Sequence, residues 1–295
     1  MTRHLKEILI RNVFAFFAFA SVLILFLIVL FLFQEGLPIF KKVSVGDFLF
    51  GKEWYPTYDP PSYGIWALTV GSVVVTVFSC LIAVPLGILS AVYIAEIAPT
   101  AVKDIAKSII ELLAGIPSVV LGFFGMVVVA PFMQDTFDLP TGLNIMNASV
   151  ILAIMAVPTI SSISEDALYA VPQEFKEASY ALGATKFETI ARVIVPAALS
   201  GISTAVILGM SRAIGETMVV LMVAGGAADI PTSIFDSVRP MPASIAAEMG
   251  EAPFGSGHYH ALFAIGIVLL FLTLLFNLVA DYISQRFREA GSATL

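Results

Sequence analysis

The sequence predicts an all-α polytopic membrane protein with six transmembrane helices. Two observations carry this. Hydrophobic residues fill 59% of the 295 positions, charged residues only 13%, and the mean hydropathy is +0.96. A soluble domain carries charge at roughly a quarter of its positions, so lipid must solvate much of this apolar surface. The apolar residues also fall into six segments of about the length that crosses ~30 Å of hydrocarbon at 1.5 Å per residue.

The first segment, residues 13–33, has Ser21 as its one polar side chain and runs into FLFQEGLPIF. That stretch offers no small-x-small cleavage site, so the segment reads as a retained helix rather than a signal peptide. The others follow at 65–95, 109–133, 146–163, 197–225 and 261–283. Pro85, Pro117 and Pro158 fall inside the second, third and fourth, where they predict kinks whose freed carbonyls neighbouring helices satisfy.

Lys and Arg set the orientation. With six spans, one side holds Arg3, Lys6, Arg11, Lys103, Lys107, Lys176, Lys186, Arg192, Arg286 and Arg288, ten of the 15 basic residues. The other side holds Lys41, Lys42, Lys52 and Arg239. Both termini are therefore expected to be cytoplasmic. The fifteenth, Arg212, belongs to neither side.

Several function classes drop out. A net charge of −7 with no basic tail argues against a nucleic-acid partner. The single Cys80 excludes a disulfide framework and a cysteine metal cluster within the chain. No G-x-x-x-x-G-K-[ST] loop occurs, so energy has to come from another chain or from an ion gradient. No nucleophile–base or metal constellation lies in the apolar segments. His258 and His260, with Glu248 and Glu251 nearby, form only an H-x-H pair in a Gly-rich loop, a pattern that suits ordinary loop residues or subunit contacts. Lys107 and Glu111 read as an i, i+4 pair at the start of the third span. The outer carboxylates Asp229, Asp236, Glu248 and Glu251 would repel an anion, which favours delivery by a separate binding protein.

Between the fourth and fifth spans, YAVPQEFKEASYALGATKFETIARVIVP reads as two short helices with a bend. Pro172 suits a first helical turn and Gly183 a left-handed helix end. Thr185 and Glu188 form a capping box for the second helix. Phe175, Ala178, Ser179 and Leu182 share one face; Phe187, Ile190, Ala191 and Ile194 repeat the spacing. Such a pair either packs on its own protein or bilayer, or inserts into a groove of a soluble partner.

Arg212 and Glu216 lie four apart in the fifth segment, hence one turn apart on one helix face, in the outer half by a count from Pro196. An unpaired charge at a span centre costs ~2.5–3.5 kcal/mol. Two readings stand: a salt bridge that fixes packing, or an anion site in which the guanidinium fork matches a tetrahedral oxyanion. Gly209 and Gly215 flank the pair and permit close approach.

The loop resembles the signature of permease subunits of binding-protein-dependent ABC importers: EAA, three residues, Gly, nine residues, then I-x-L-P. Here Glu177, Ala178 and Ser179, then Gly183, Val193, Val195 and Pro196 stand in that register, with Ser for the third Ala and Val for Ile and Leu. The segment LGMSRAIGETMVVLMVAG is similar to the fifth helix of the C-type permeases of phosphate-specific importers, with support from LLAGIPSVVLGFFG, ILAIMAVPTISSISEDALYAVP and MPASIAAEMGEAPFGSGHYHALFAIG. The likeness covers about residue 64 to the end. It implies a type I ABC importer permease fold, with a first helix and outer loop at 1–64 and a permease domain at 65–295 that contains a coupling loop at 165–196. In such permeases Glu177, Ala178, Ser179, Gly183 and Pro196 would belong to the ATPase-docking loop, and Arg212 and Glu216 to the phosphate path. The resemblance further implies a second homologous permease, two ATPase subunits that bind ATP and magnesium, an extracytoplasmic phosphate-binding protein and a prokaryotic cell membrane. The chain itself would hold no cofactor and no metal. An importer for sulfate or molybdate, or a gradient-driven secondary transporter, remains open at this point.

Overall fold

Apolar composition says how many helices cross a membrane but not which one sits at the centre; small residues decide that. The computed structural model describes residues 3–292. Positions 1–2 and 293–295 of the two expected domains lie outside it, as do the side chains of Arg3, Lys6, Arg286 and Arg288. Among the described residues, six helices are long and apolar enough to span a bilayer: Leu9–Lys41, Trp66–Ile97, Ser118–Phe137, Ile145–Tyr169, Lys186–Ile214 and Gly257–Tyr282. The expected count stands, and Pro85 and Pro158 lie inside their helices.

Two expected segments change. Residues 109–114 do not belong to the third span; they end a separate amphipathic helix, Thr100–Ala114. Gly115 closes that helix, Ile116 is turned from helical geometry by the proline that follows it, and Pro117 caps the third span instead of kinking it. Lys107 correspondingly reaches Glu165 on the fourth span at 3.5 Å rather than Glu111, while Lys103 lies over the Tyr169 ring at 3.9 Å. The fifth span starts at Lys186, far below residue 197, and stops at Ile214; a break follows and Met218–Val223 forms a short helix of its own.

The fourth span is the hub. Its most apolar window is 67% buried inside the chain, against 0% for the first span. Apolar surface gives helices little reason to associate in lipid, so close packing through small residues has to do it. Ile160 lies between two glycines: a methyl group on Gly87 of the second span would come within 2.7 Å of it, and one on Gly209 of the fifth within 2.6 Å. Ala83, Ala153 and Ala156 complete this narrow contact. Along most of its length the first span packs on the sixth, through Gly36 against Ile267 and edge-to-face rings Phe31–Phe263 and Phe33–Phe271.

Two caps close the bundle. At one end Ile39, Phe48, Trp54, Ile65, Leu68, Met241 and Leu262 pack around a two-stranded antiparallel hairpin, Trp54–Tyr55 with Ser62–Tyr63. At the other, Ala91, Leu168, Val171, Ile190, Ile194 and Ala198 pack beneath the loop between the fourth and fifth spans. We call these the hairpin end and the loop end.

Gly209→Leu is expected to overpack Ile160 and lower stability by roughly 1–3 kcal/mol. Thermal unfolding in detergent measures this, and Ile160→Ala in the same chain should recover part of the loss.

Candidate functional site

At the loop end, Gln173–Ala181 forms the first loop helix, capped by Pro172. Gly183 takes φ +86°, as its place after the helix predicts, and Thr185 and Glu188 make the expected capping box, with amide-to-side-chain distances of 3.3 and 2.9 Å. The second loop helix is not a short separate element. From Lys186 it passes through a π-turn at Ile190–Ile194 and past Pro196 directly into the fifth span. The wider turn accommodates the amide that proline lacks. One helical rod thus joins the loop to Arg212, ~39 Å at 1.5 Å per residue.

The faces also resolve differently from the spacing. Ser179 points inward, its Oγ 2.9 Å from Oγ1 of buried Thr189, and pins the two loop helices together. Ile190 and Ile194 are buried with it, whereas Phe175, Ala178, Phe187 and Ala191 are exposed. Leu182 is 90% and Phe187 75% exposed, and with Phe175 and Tyr180 they form an apolar knob. Glu177 and Gly183 share that exposed surface. Lys176 holds the first loop helix to the end of the second span through Glu96, at 2.6 Å and largely buried.

Arg212 and Glu216 are not an ion pair. The helix ends at Ile214, with Gly215 as its cap, so the two residues no longer share a helical face. The Glu216 carboxylate accepts the backbone amides of Met218 and Val219 at 3.1 and 3.3 Å, which holds the break open. Arg212 Nη1 instead donates to Thr159 Oγ1 of the fourth span at 3.3 Å. Thr159 stands fourteen residues, ~21 Å, from Ile145 and ten residues, ~15 Å, from Tyr169. Arg212 is therefore level with the middle of the fourth span, two residues before the end of its own helix, and its side chain is exposed on the surface of the single chain rather than inside it. Its neighbour Ser211 donates to Ile207 O and contacts the Asn277 side chain of the sixth span, which helps to fix the rotation of the fifth. Gly209 meets Ile160; Gly215 is the helix cap.

The hairpin end joins Glu248 and His258, expected as ordinary loop residues or subunit contacts, to Arg239 and Trp54 in one polar cluster. Glu248 accepts from Trp54 Nε1 at 3.0 Å and from Arg239 Nη1 at 2.7 Å, and its other oxygen lies 2.8 Å from His258 Nε2. Its charge is thus matched locally and does not add to the outer negative field. His260 Nδ1 lies 2.7 Å from Glu35 O, which ties the sixth span to the end of the first. Asp236 accepts the amides of Thr232 and Ser233 and the Thr232 hydroxyl, bonds that hold its carboxyl below the usual carboxylate range. Among the described residues no group of three or more His, Cys, Asp or Glu is arranged to hold a metal. The signal for the cluster was present in the spacing of Arg239, Glu248 and His258, but its fourth member, Trp54, lies 194 residues away from Glu248.

Residues 83–289 match the family described as binding-protein-dependent transport system inner membrane component. A probable ABC transporter permease protein of Bacillus subtilis, YqgH, is 43% identical over 88% of this chain and 84% of its own length. The phosphate transport system permease protein PstC of Mesorhizobium japonicum is 36% identical over 81% and 78%. Among solved structures, the bacterial alginate ABC transporter in complex with its alginate pentasaccharide-bound periplasmic protein superposes with a TM-score of 0.66 at 17% identity, over 96% of this chain and 98% of that one. The inward-facing MetNI methionine ABC transporter gives 0.57 at 23%, over 76% and 94%. At these identities the structural likeness concerns the fold.

Glu248→Ala strands a cation, a histidine and an indole N–H at once. A loss of ~1–3 kcal/mol is expected, of the order seen when hydrogen bonds to a charged group are removed in a partly buried setting. Thermal unfolding of the purified chain measures it, and Glu248→Gln, which keeps an acceptor, should lose less.

Proposed function

The chain belongs to the family of binding-protein-dependent transport system inner membrane components, and from that premise we propose that it is a membrane-spanning subunit of an ATP-driven inorganic phosphate importer. Its six-helix architecture is that of type I ABC importer permeases. Permeases of this family translocate and do not catalyse; ATP and magnesium belong to a partner ATPase. The observation that carries the reading is the uninterrupted helix from the exposed loop knob to Arg212.

In this reading the loop end is cytoplasmic, as the excess of Lys and Arg there favours, and both termini lie on that side. Residues 1–64 supply a peripheral helix and the outer loop, 65–295 the permease domain, and 165–196 the coupling loop. Phe175, Leu182 and Phe187 enter a groove of an ATPase subunit, the helix-in-groove mode of recognition. Glu177, Ala178, Ser179, Gly183 and Pro196 shape that knob: the first two and Gly183 on its surface, Ser179 by pinning it, Pro196 at its junction with the span. ATP-driven closure of two ATPase subunits then displaces the rod, and this permease rocks against a second, homologous one. The exposed face that carries Arg212 would line the path between the two permeases. There the guanidinium supplies a fork of donors for phosphate, level with the middle of the fourth span. Glu216 serves the path indirectly, by holding the break after Ile214. A periplasmic-side binding protein delivers the anion to the hairpin end.

Several relatives are phosphate permeases by name, which supports phosphate as the cargo. Sulfate and molybdate are the competing cargoes, separated by competition against labelled phosphate. A gradient-driven carrier based on Arg212–Glu216 proton coupling loses support, since the two do not pair.

A Cβ at Gly183 meets nothing within 4 Å, while its φ of +86° strains the loop, and the loop alone, for any other residue. Gly183→Trp is therefore expected to leave membrane insertion intact while copurification of the ATPase falls, about tenfold or more if the bulk blocks a hot spot; normal copurification would exclude the docking role. Arg212→Ala is expected to abolish uptake of labelled phosphate in complexes that still assemble. Full uptake would return Arg212 to a packing role.

A further inference from the structure

Six hydroxyls on the membrane helices are committed to their own backbone, while buried Ser79, Ser161 and Ser164 have no partner among the described residues. Thr69, Ser72, Thr76, Thr204, Ser211 and Thr273 each donate to the carbonyl four residues earlier, at 2.7–3.0 Å. Thr159 does not. Its Oγ1 has one contact, the Arg212 Nη1–H that it accepts at 3.3 Å, so its own proton is uncommitted. Glu216, the residue expected to hold the arginine, is occupied by the Met218 and Val219 amides. What remains at this level is a guanidinium with one of its five N–H donors engaged and an O–H beside it, with no carboxylate on either.

We propose that Thr159 is a second ligand for the translocated oxyanion. The inference rests on the reading that Arg212 meets that anion. An anion oxygen that takes an N–H from Arg212 leaves Thr159 free to rotate and donate its proton to the same or a neighbouring oxygen. The 3.3 Å spacing of the two groups allows either arrangement. The two ligands come from different helices, the fourth and the fifth, so the site is complete only while those helices keep their present register. Without the anion, Thr159 is what the guanidinium rests on. The fork therefore stays aimed without a counter-charge that phosphate would have to displace.

The test uses the whole importer, with partner permease, ATPases and binding protein, in proteoliposomes. Uptake of labelled inorganic phosphate and ATP hydrolysis are followed in the same vesicles. Thr159→Val keeps the side-chain shape and removes the hydroxyl; Thr159→Ser keeps the hydroxyl. The valine is expected to cut phosphate moved per ATP by about tenfold, as for loss of a hydrogen bond to a charged group, and the serine to restore most of it. Normal coupling in Thr159→Val beside a dead Arg212→Ala would overturn the role of Thr159 and leave the anion reading standing. Normal uptake in Arg212→Ala as well would remove both. Loss of assembly, or of hydrolysis in step with uptake, would assign Thr159 to packing and overturn the proposal.

Discussion

Ile160 held between Gly87 and Gly209 is the contact on which the rest of the structure depends. It brings the second, fourth and fifth helices to the spacing that only missing side chains permit, and it is one residue from Thr159 and three from Arg212 along their respective helices. The polar contact between those two exists because the apolar one beside it sets the helix separation. Lipid contributes no hydrophobic drive for such an approach, so the fit of one side chain into two gaps has to provide it. The peripheral first span, joined to the sixth by ring edges and by close approaches at Gly36 and Gly266, lies outside this constraint.

Hydropathy alone made the six spans legible, because each must satisfy its backbone internally over ~30 Å. The loop was legible from local chemistry: a left-handed Gly183 and a reciprocal Thr185–Glu188 cap are specified by residues three apart. What sequence reading missed were helix ends and partners. Residues 109–114 are apolar enough to join the third span, and only the Gly115–Ile116–Pro117 run, read as a kink, ends their helix. Arg212 and Glu216 have ideal helical spacing, yet Gly215 and the two amides that Glu216 accepts end the helix between them. Spacing reports what a helix would bring together, not whether the helix continues.

Charge placement follows the same division. Away from Arg212, four cations find partners at short range: Lys176 with Glu96, Lys107 with Glu165, Arg239 with Glu248, Lys103 on the Tyr169 ring. Three of these contacts fasten elements far apart in sequence at the loop end, and Arg239–Glu248 ties neighbouring segments at the hairpin end. Arg212, against this pattern, has a hydroxyl where the others have an anion or a ring.

The π-turn at Ile190–Ile194 gives the loop signature a second meaning. Each residue added to or removed from a helix turns everything beyond it by about 100°. The side chains at 193 and 195 can differ from the family's Ile and Leu at little cost, since any apolar group of similar size fills the space. The number of residues between Gly183 and Pro196 cannot change so freely, because it sets the angle at which Phe187 faces away from the bundle while Arg212 faces Thr159. In this segment helix geometry constrains the length of the chain more tightly than the identity of its apolar side chains.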